Sequence, residues 1–177
     1  MPQATRGRLS IAASIAVAAI ALGSTSTASA AGCRGAGATA ASVSPGKLRS
    51  ALLCLVNRRR AAHGVGALRA ERHIAKAAGR HARDMRSRGY FAHQRPGGPD
   101  LAARLRRAGW SGHAWGENIA YGCGSMGTPR ATVRMWMNSP PHRSIMLSGT
   151  YRQGGIGVAN GAPCGAGAMW VLDVGRR

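Results

Sequence analysis

The sequence predicts an α+β domain, with helices covering both faces of a small antiparallel sheet. Apolar residues recur at helical spacing in a series of runs through the first two thirds of the chain. Two extended runs, 151–160 and 168–174, close it and are joined by a Gly-rich hairpin loop, 161–167. Helices therefore come first and strands last, and the helical runs are long enough to cover the sheet twice.

Residues 1–30 read as a signal peptide. Arg6 and Arg8 give a basic start, Ile11 to Leu22 is an apolar run, and Ala28-Ser29-Ala30 is a cleavage site. The run is too short to cross a bilayer, so no transmembrane anchor is expected and the protein is expected to be secreted. Residues 31–44 are Ala, Gly, Ser and Thr with little to bury and read as a flexible linker pinned at Cys33. Residues 45–177 are then one domain, expected to be monomeric.

Four cysteines in an exported chain imply two disulfides, for which three connectivities exist. The pairing favoured is Cys33–Cys54, tying the N-terminal segment to the first helix, with Cys123–Cys164 joining two loops. Loss of Arg6 and Arg8 from 25 Lys plus Arg leaves 23 against five acids, a net charge of +18 for residues 31–177. Such a charge draws the domain to anionic envelope polymers or lipid headgroups. Sequence-specific nucleic-acid recognition is not expected, because aromatics are few and no reading motif is present.

Ser44-Pro45 opens the first helix, with the hydroxyl as cap and proline in the first turn. Leu48, Ala51, Leu52, Leu55 and Val56 form its stripe, leaving Arg58-Arg59-Arg60 toward solvent or the next turn; Gly64 stops it. A second helix, Glu71 to Arg88, has Ile74, Ala77, Ala78, His81, Ala82 and Met85 on its inner face. His81 on that face reads as a core histidine with its hydrogen bonds met. Tyr90 to His93 is extended, Arg95-Pro96-Gly97-Gly98-Pro99 a turn-rich loop, and Asp100 caps a short third helix to Ala108.

Trp115 to Tyr121 reads as extended and buried. Thr128-Pro129 opens a fourth helix that ends at Asn138 or Ser139 before two prolines, and His142 to Leu147 makes one more turn. Gly154, Gly155 and Gly157 mark a strand over which another element packs very closely. Trp170, Leu172 and Val174 alternate on one face of the last strand.

Five motifs stand in order: Leu53-Cys54-Leu55-Val56-Asn57-Arg58, Phe91-Ala92-His93, Gly116-Glu117-Asn118-Ile119, Trp136-Met137-Asn138-Ser139-Pro140-Pro141-His142-Arg143 and Gly155-Ile156-Gly157-Val158. Together they resemble the bacterial branch of the CAP superfamily (cysteine-rich secretory proteins, antigen 5 and pathogenesis-related proteins). The resemblance covers about residues 45–175. It implies a three-layer α/β/α sandwich, an extracellular or envelope location, and a cleft lined by two histidines and, in many members, two acids. By position, His93 resembles the first cleft histidine, Glu117 the acid of the G-E-N motif, and His142 the second histidine. Many eukaryotic members carry Glu three residues after the helix Trp, which the bacterial branch often lacks. Here that position is Ser139, so the fourth cleft carboxylate is absent.

Glu117 is one of only five acids and sits among apolar neighbours, so it is expected to pair with cations. His93 and His142 are expected to converge on it in one pocket, with Asn118, Ser139 and Arg143 as further lining residues. Two imidazoles facing one carboxylate make either a weak divalent-metal site, for Zn²⁺ or Mg²⁺, or a hydrogen-bonded network. Lacking a further acid, the network is favoured and no cofactor is required. A bland role also fits Glu117 and Asn118, which can satisfy loop amides and hold the fold.

Three functions fit this pattern. The first is a binding module taking a small ligand, a lipid or sterol, or a partner's peptide. The second is a peptidase or esterase using Ser139 as nucleophile, or a water activated by His93 and Glu117, with His142 as the further catalytic candidate. Ser139 stands before two prolines rather than in a G-x-S-x-G elbow, and no Asp is placed to suggest a triad. The third is adhesion to anionic envelope polymers through charge alone, which weakens steeply with salt.

Overall fold

The caps written in the sequence start four helices in the computed structural model, which describes Met1 and residues 32–161 and 164–177. The expected signal peptide, Met1 aside, lies outside the described residues. Ser44 caps α1 (Pro45–Ala62), Glu71 caps α2 (Arg72–Arg88), Asp100 caps α3 (Leu101–Ala108) and Thr128 caps α4 (Pro129–Asn138). Each cap side chain accepts a backbone N–H of the first turn, which that turn cannot satisfy within the helix. Gly89 and Gly109 close α2 and α3 in the left-handed conformation, at φ 68° and 94°.

Past α4 the expected single turn is a full helix, α5 (Pro140–Leu147). Pro140 and Pro141 occupy its first turn, where a missing N–H costs no hydrogen bond.

The sheet has strand order β1-β3-β4-β2, from β1 (Arg69–Ala70), β2 (Ala114–Cys123), β3 (Gln153–Asn160) and β4 (Gly167–Arg176). The three long strands are antiparallel; β1 adds a parallel pairing of two residues, too short to carry a strand pattern in the sequence. β2 is left with one free edge.

Alternation along β4 builds a three-layer α/β/α sandwich. Ala168, Trp170, Leu172 and Val174 pack with Leu48, Leu52 and Val56 of α1, Val133 and Trp136 of α4 and Met146 of α5. Met169 and Val171 pack on the other face against Ala78, Ala82 and Met85 of α2. α3 lies outside α2, joined through Ile74, Ala77, Leu105, Ala108 and Trp110. The glycines of β3 allow the close approach of α2: a Cβ on Gly155 or Gly157 would run into the backbone at Ala75 or Ala78.

Both expected disulfides, Cys33–Cys54 and Cys123–Cys164, are formed. Three expectations need correcting. The segment before α1 is held at more than Cys33: Ala36 and Ala40 are buried, the Ala36 carbonyl accepts the Arg130 N–H, and Asn160 donates to the Ala40 carbonyl. Arg60 does not face solvent but is fully buried, donating to the carbonyls of Gly66, Met146, Ser148 and Tyr151. Its planar fork meets several loop carbonyls at once, a need that helical periodicity does not reveal. Trp115 and Tyr121 are exposed ends of β2, because only the middle of that edge strand is covered on both faces.

Candidate functional site

Successive residues of β2 point to opposite faces of the sheet, and this divides the site. Glu117 turns toward α2 and α3, whereas Asn118 turns toward α5. Between them they send the G-E-N motif into two separate layers.

On the α2–α3 side Glu117 is buried, at 5% exposure, inside a polar cluster. His93 Nδ1–H donates to Oε1 at 2.8 Å. Arg104 of α3 donates through its terminal nitrogen to Oε2 at 2.5 Å. His81 of α2 lies 3.8 Å from Oε2 while its Nε2–H donates to the Ala92 carbonyl at 3.1 Å. Asp173 of β4 pairs directly across the ladder from Glu117. Neither Asp173 oxygen receives a donor from another group, and the acid is held neutral by its burial beside Glu117.

The charge states follow from these contacts. Burial pushes the Glu117 carboxyl up, but the His93 hydrogen bond and the positive charge of Arg104 outweigh it and hold it below the ordinary value. Asp173, wholly buried and beside that carboxylate, is raised well above the ordinary aspartate value. The Glu117 hydrogen bond raises His93 against partial desolvation. Burial lowers His81, which is neutral in the core. Glu117 is thus an anion held by a guanidinium and a ring N–H, with a neutral acid behind it.

His142 makes no hydrogen bond to Glu117, so the acid expected to join both histidines bonds to His93 alone of the two, although the charge of His93 still reaches the His142 ring. His142 sits at the start of α5, on the other side of β2, where the Ser139 hydroxyl donates to its Nδ1 at 2.7 Å in the Nε2–H tautomer. Asn118 donates to the His142 backbone carbonyl at 2.8 Å and so fixes the turn rather than the ring. Desolvation, helped by the charge of His93, lowers the His142 pKa, leaving a neutral imidazole. Arg143 is exposed, and its backbone N–H closes the α5 turn on the Ser139 carbonyl.

A groove of about 280 Å³ runs along the edge of β2 beside this pair, lined by Phe91, Tyr121, Met135, Trp136, Ser139 and His142. Phe91 and Tyr121 stack edge to face at 5.0 Å and are both 44% exposed. The groove is apolar along its length and polar at the Ser139–His142 end.

The residues do not fit the metal set named from the sequence. Both Glu117 oxygens already face cationic or N–H donors, and His142 is turned to Ser139. Among the described residues no three His, Cys, Asp or Glu side chains gather in a metal-holding arrangement. His93 and Glu117 meet as expected, and so do Ser139 and His142; the two pairs do not share an acid.

Arg104 and Asp173 were missed. Asp173 was legible as the one acid in an otherwise apolar last strand, alternating with Met169 and Val171 onto the α2 face. Arg104 carried no local signal, since it is one arginine among many until α3 folds over β2.

The family model for the cysteine-rich secretory protein family (CAP) matches residues 53–174. Uncharacterized protein YkwD of Bacillus subtilis (strain 168) is 30% identical over 132 residues, covering 75% of this chain and 48% of that protein. Uncharacterized membrane protein YlbC of the same organism is 35% identical over 107 residues, 60% of this chain and 30% of that one. The chain therefore spans about half or less of the curated relatives it matches. An extracellular protein containing a SCP domain from Bacillus anthracis str. Ames superposes with a TM-score of 0.66 at 26% identity, over 76% of this chain and 44% of its own. An outer surface protein of Borrelia burgdorferi gives a TM-score of 0.62 at 18% identity, covering 71% and 90% of the two chains, a likeness of fold.

Proposed function

The chain belongs to the cysteine-rich secretory protein (CAP) family, and from that premise we propose that it is a secreted, monomeric binding module taking an amphiphile along the edge of β2. The observation that carries this reading is the groove itself. Its apolar length, with Phe91, Tyr121 and Met135, suits a lipid chain or sterol ring, and the Ser139–His142 end suits its polar head. A neutral His142 and a hydroxyl recognise an uncharged or weakly polar headgroup by hydrogen bonds. The Glu117 cluster acts behind this surface: it positions the Phe91–His93 stretch through His93 and needs no resident cation.

The test is displacement of a fluorescent fatty acid from delipidated protein by long-chain alcohols and sterols. Saturable binding that survives high salt and weakens at least tenfold in Phe91→Ser/Met135→Ser supports the reading. Absence of saturable binding, or binding indifferent to that pair, overturns it.

Hydrolysis is the second reading, favoured by the 2.7 Å Ser139–His142 contact. Against it, no carboxylate among the described residues pairs with His142 to orient the ring. Turnover of a nitrophenyl ester abolished by Ser139→Ala would promote it over binding.

A further inference from the structure

A second cavity lies away from the edge groove, between α2, α3 and the loop at residues 95–99, with a volume of about 340 Å³. Its charged lining is Arg80, Asp84, Arg95, Arg104 and Arg107, with His81 at the inner end. Helical spacing explains the cluster: Arg80 and Asp84 stand four apart on α2, and Arg104 and Arg107 three apart on α3.

Four guanidiniums meet two carboxylates, Asp84 in the lining and Glu117 behind Arg104, and both carboxylates are already engaged. Asp84 accepts from Arg88 Nε at 2.8 Å and from the Tyr90 hydroxyl at 2.6 Å, with Arg95 Nε 3.7 Å away. Among the described residues Arg80 and Arg107 have no carboxylate within ion-pair distance. Arg104 supplies a second, independent pointer. Its side chain is 9% exposed, and its terminal nitrogens are taken by Glu117, the His93 carbonyl and the Pro99 carbonyl. Its Nε is buried and has no acceptor. A buried N–H without an acceptor is rare because it forfeits its hydration for nothing.

We propose that this cavity is an anion-binding site for a phosphate monoester carried on a sugar or polyol. The phosphate meets the arginine forks, and one acceptor oxygen serves the Arg104 side. A monoester carries up to two negative charges, which matches the positive surplus better than one carboxylate does. The volume exceeds what a lone oxyanion needs and lies in the range of small-ligand pockets, so the group bearing the phosphate is enclosed too. Free phosphate shares the headgroup chemistry and differs in lacking that group. The inference stands apart from the amphiphile reading, since the two sites use different walls of the fold.

The experiment is titration calorimetry of the intact protein with glucose 1-phosphate, inorganic phosphate, glucose and acetate at physiological salt. Arg80→Gln/Arg107→Gln removes two exposed arginines of the site; Arg58→Gln/Arg59→Gln removes the same charge from α1, on the far side of the sheet. Glucose 1-phosphate is expected to bind saturably and more tightly than inorganic phosphate. It should weaken at least tenfold in the Arg80/Arg107 variant and less than twofold in the Arg58/Arg59 variant. Its addition should also shift the Arg104 Nε–H NMR signal. Equal loss in both variants would mean attraction by net charge only and overturn the proposal, as would tighter binding of inorganic phosphate or acetate, or no saturable binding. The fluorescent fatty acid should bind the Arg80/Arg107 variant unchanged, which keeps failure here separate from failure of the groove.

Discussion

Glu117 and Asp173 stand opposite one another on β2 and β4, an ionised carboxylate beside a buried neutral acid. One is held ionised by Arg104 and His93, and the other is held neutral by burial beside it. Like charges at such a distance do not both ionise in a dry site.

The raised Asp173 pKa makes stability depend on pH. Below the ordinary aspartate value both folded and unfolded chains hold the proton. Above it only the fold does, so this contribution falls as pH rises, until the raised folded value is passed. Asp173→Asn mimics the neutral acid and should flatten that slope in melting curves taken across pH. Asp173→Ala leaves a void beside the buried Glu117 carboxylate and should cost about 1–3 kcal/mol at neutral pH.

Arg104 and Glu117 form a nearly dry ion pair, with side chains 9% and 3% exposed. Arg104→Met strands the carboxylate and should cost about 3–5 kcal/mol in denaturant unfolding. Adding Glu117→Gln should recover part of that loss, so the double change costs less than the sum of the singles.

Much of the frame was legible because local chemistry fixes it. Ser44, Asp100 and Thr128 could be read as caps, Gly155 and Gly157 as the seat of a close crossing, and the two disulfides from cysteine placement. The site was legible only in pairs. His93 with Glu117 follows from the motifs, but alternation along β2 separates Glu117 from Asn118 and therefore from His142. Counting that period through the G-E-N motif would have exposed the division. Arg60 and Arg104 stayed hidden because their partners are carbonyls and acids distant in sequence, which periodicity does not encode.

The crossing of α2 over β3 admits no side chain. Gly157→Ala drives a Cβ into the Ala78 backbone, and Gly155→Ala does so at Ala75. Each should destabilise by about 1–3 kcal/mol or prevent folding outright, read by circular dichroism melts. Gly149→Ala, with open space at its Cβ, is the matched control and should be nearly neutral.

Ser139 stands at the N-cap position of α5 without capping it, its hydroxyl engaged with His142 instead. Ser139→Ala should therefore leave stability within about 0.5 kcal/mol. Amphiphile affinity should fall about fivefold, the worth of one hydrogen bond of about 1 kcal/mol, in the fluorescent displacement assay.

The histidines offer the sharpest reading of how the site is divided. NMR titration of the ring resonances should place His93 above the ordinary value of 6.5 and His142 below it. In Glu117→Gln the His93 midpoint should drop, and His142, relieved of part of the His93 charge, should rise by a smaller amount. A shared midpoint, or a His142 shift as large as that of His93 in this variant, would contradict the account that Glu117 holds His93 and not His142.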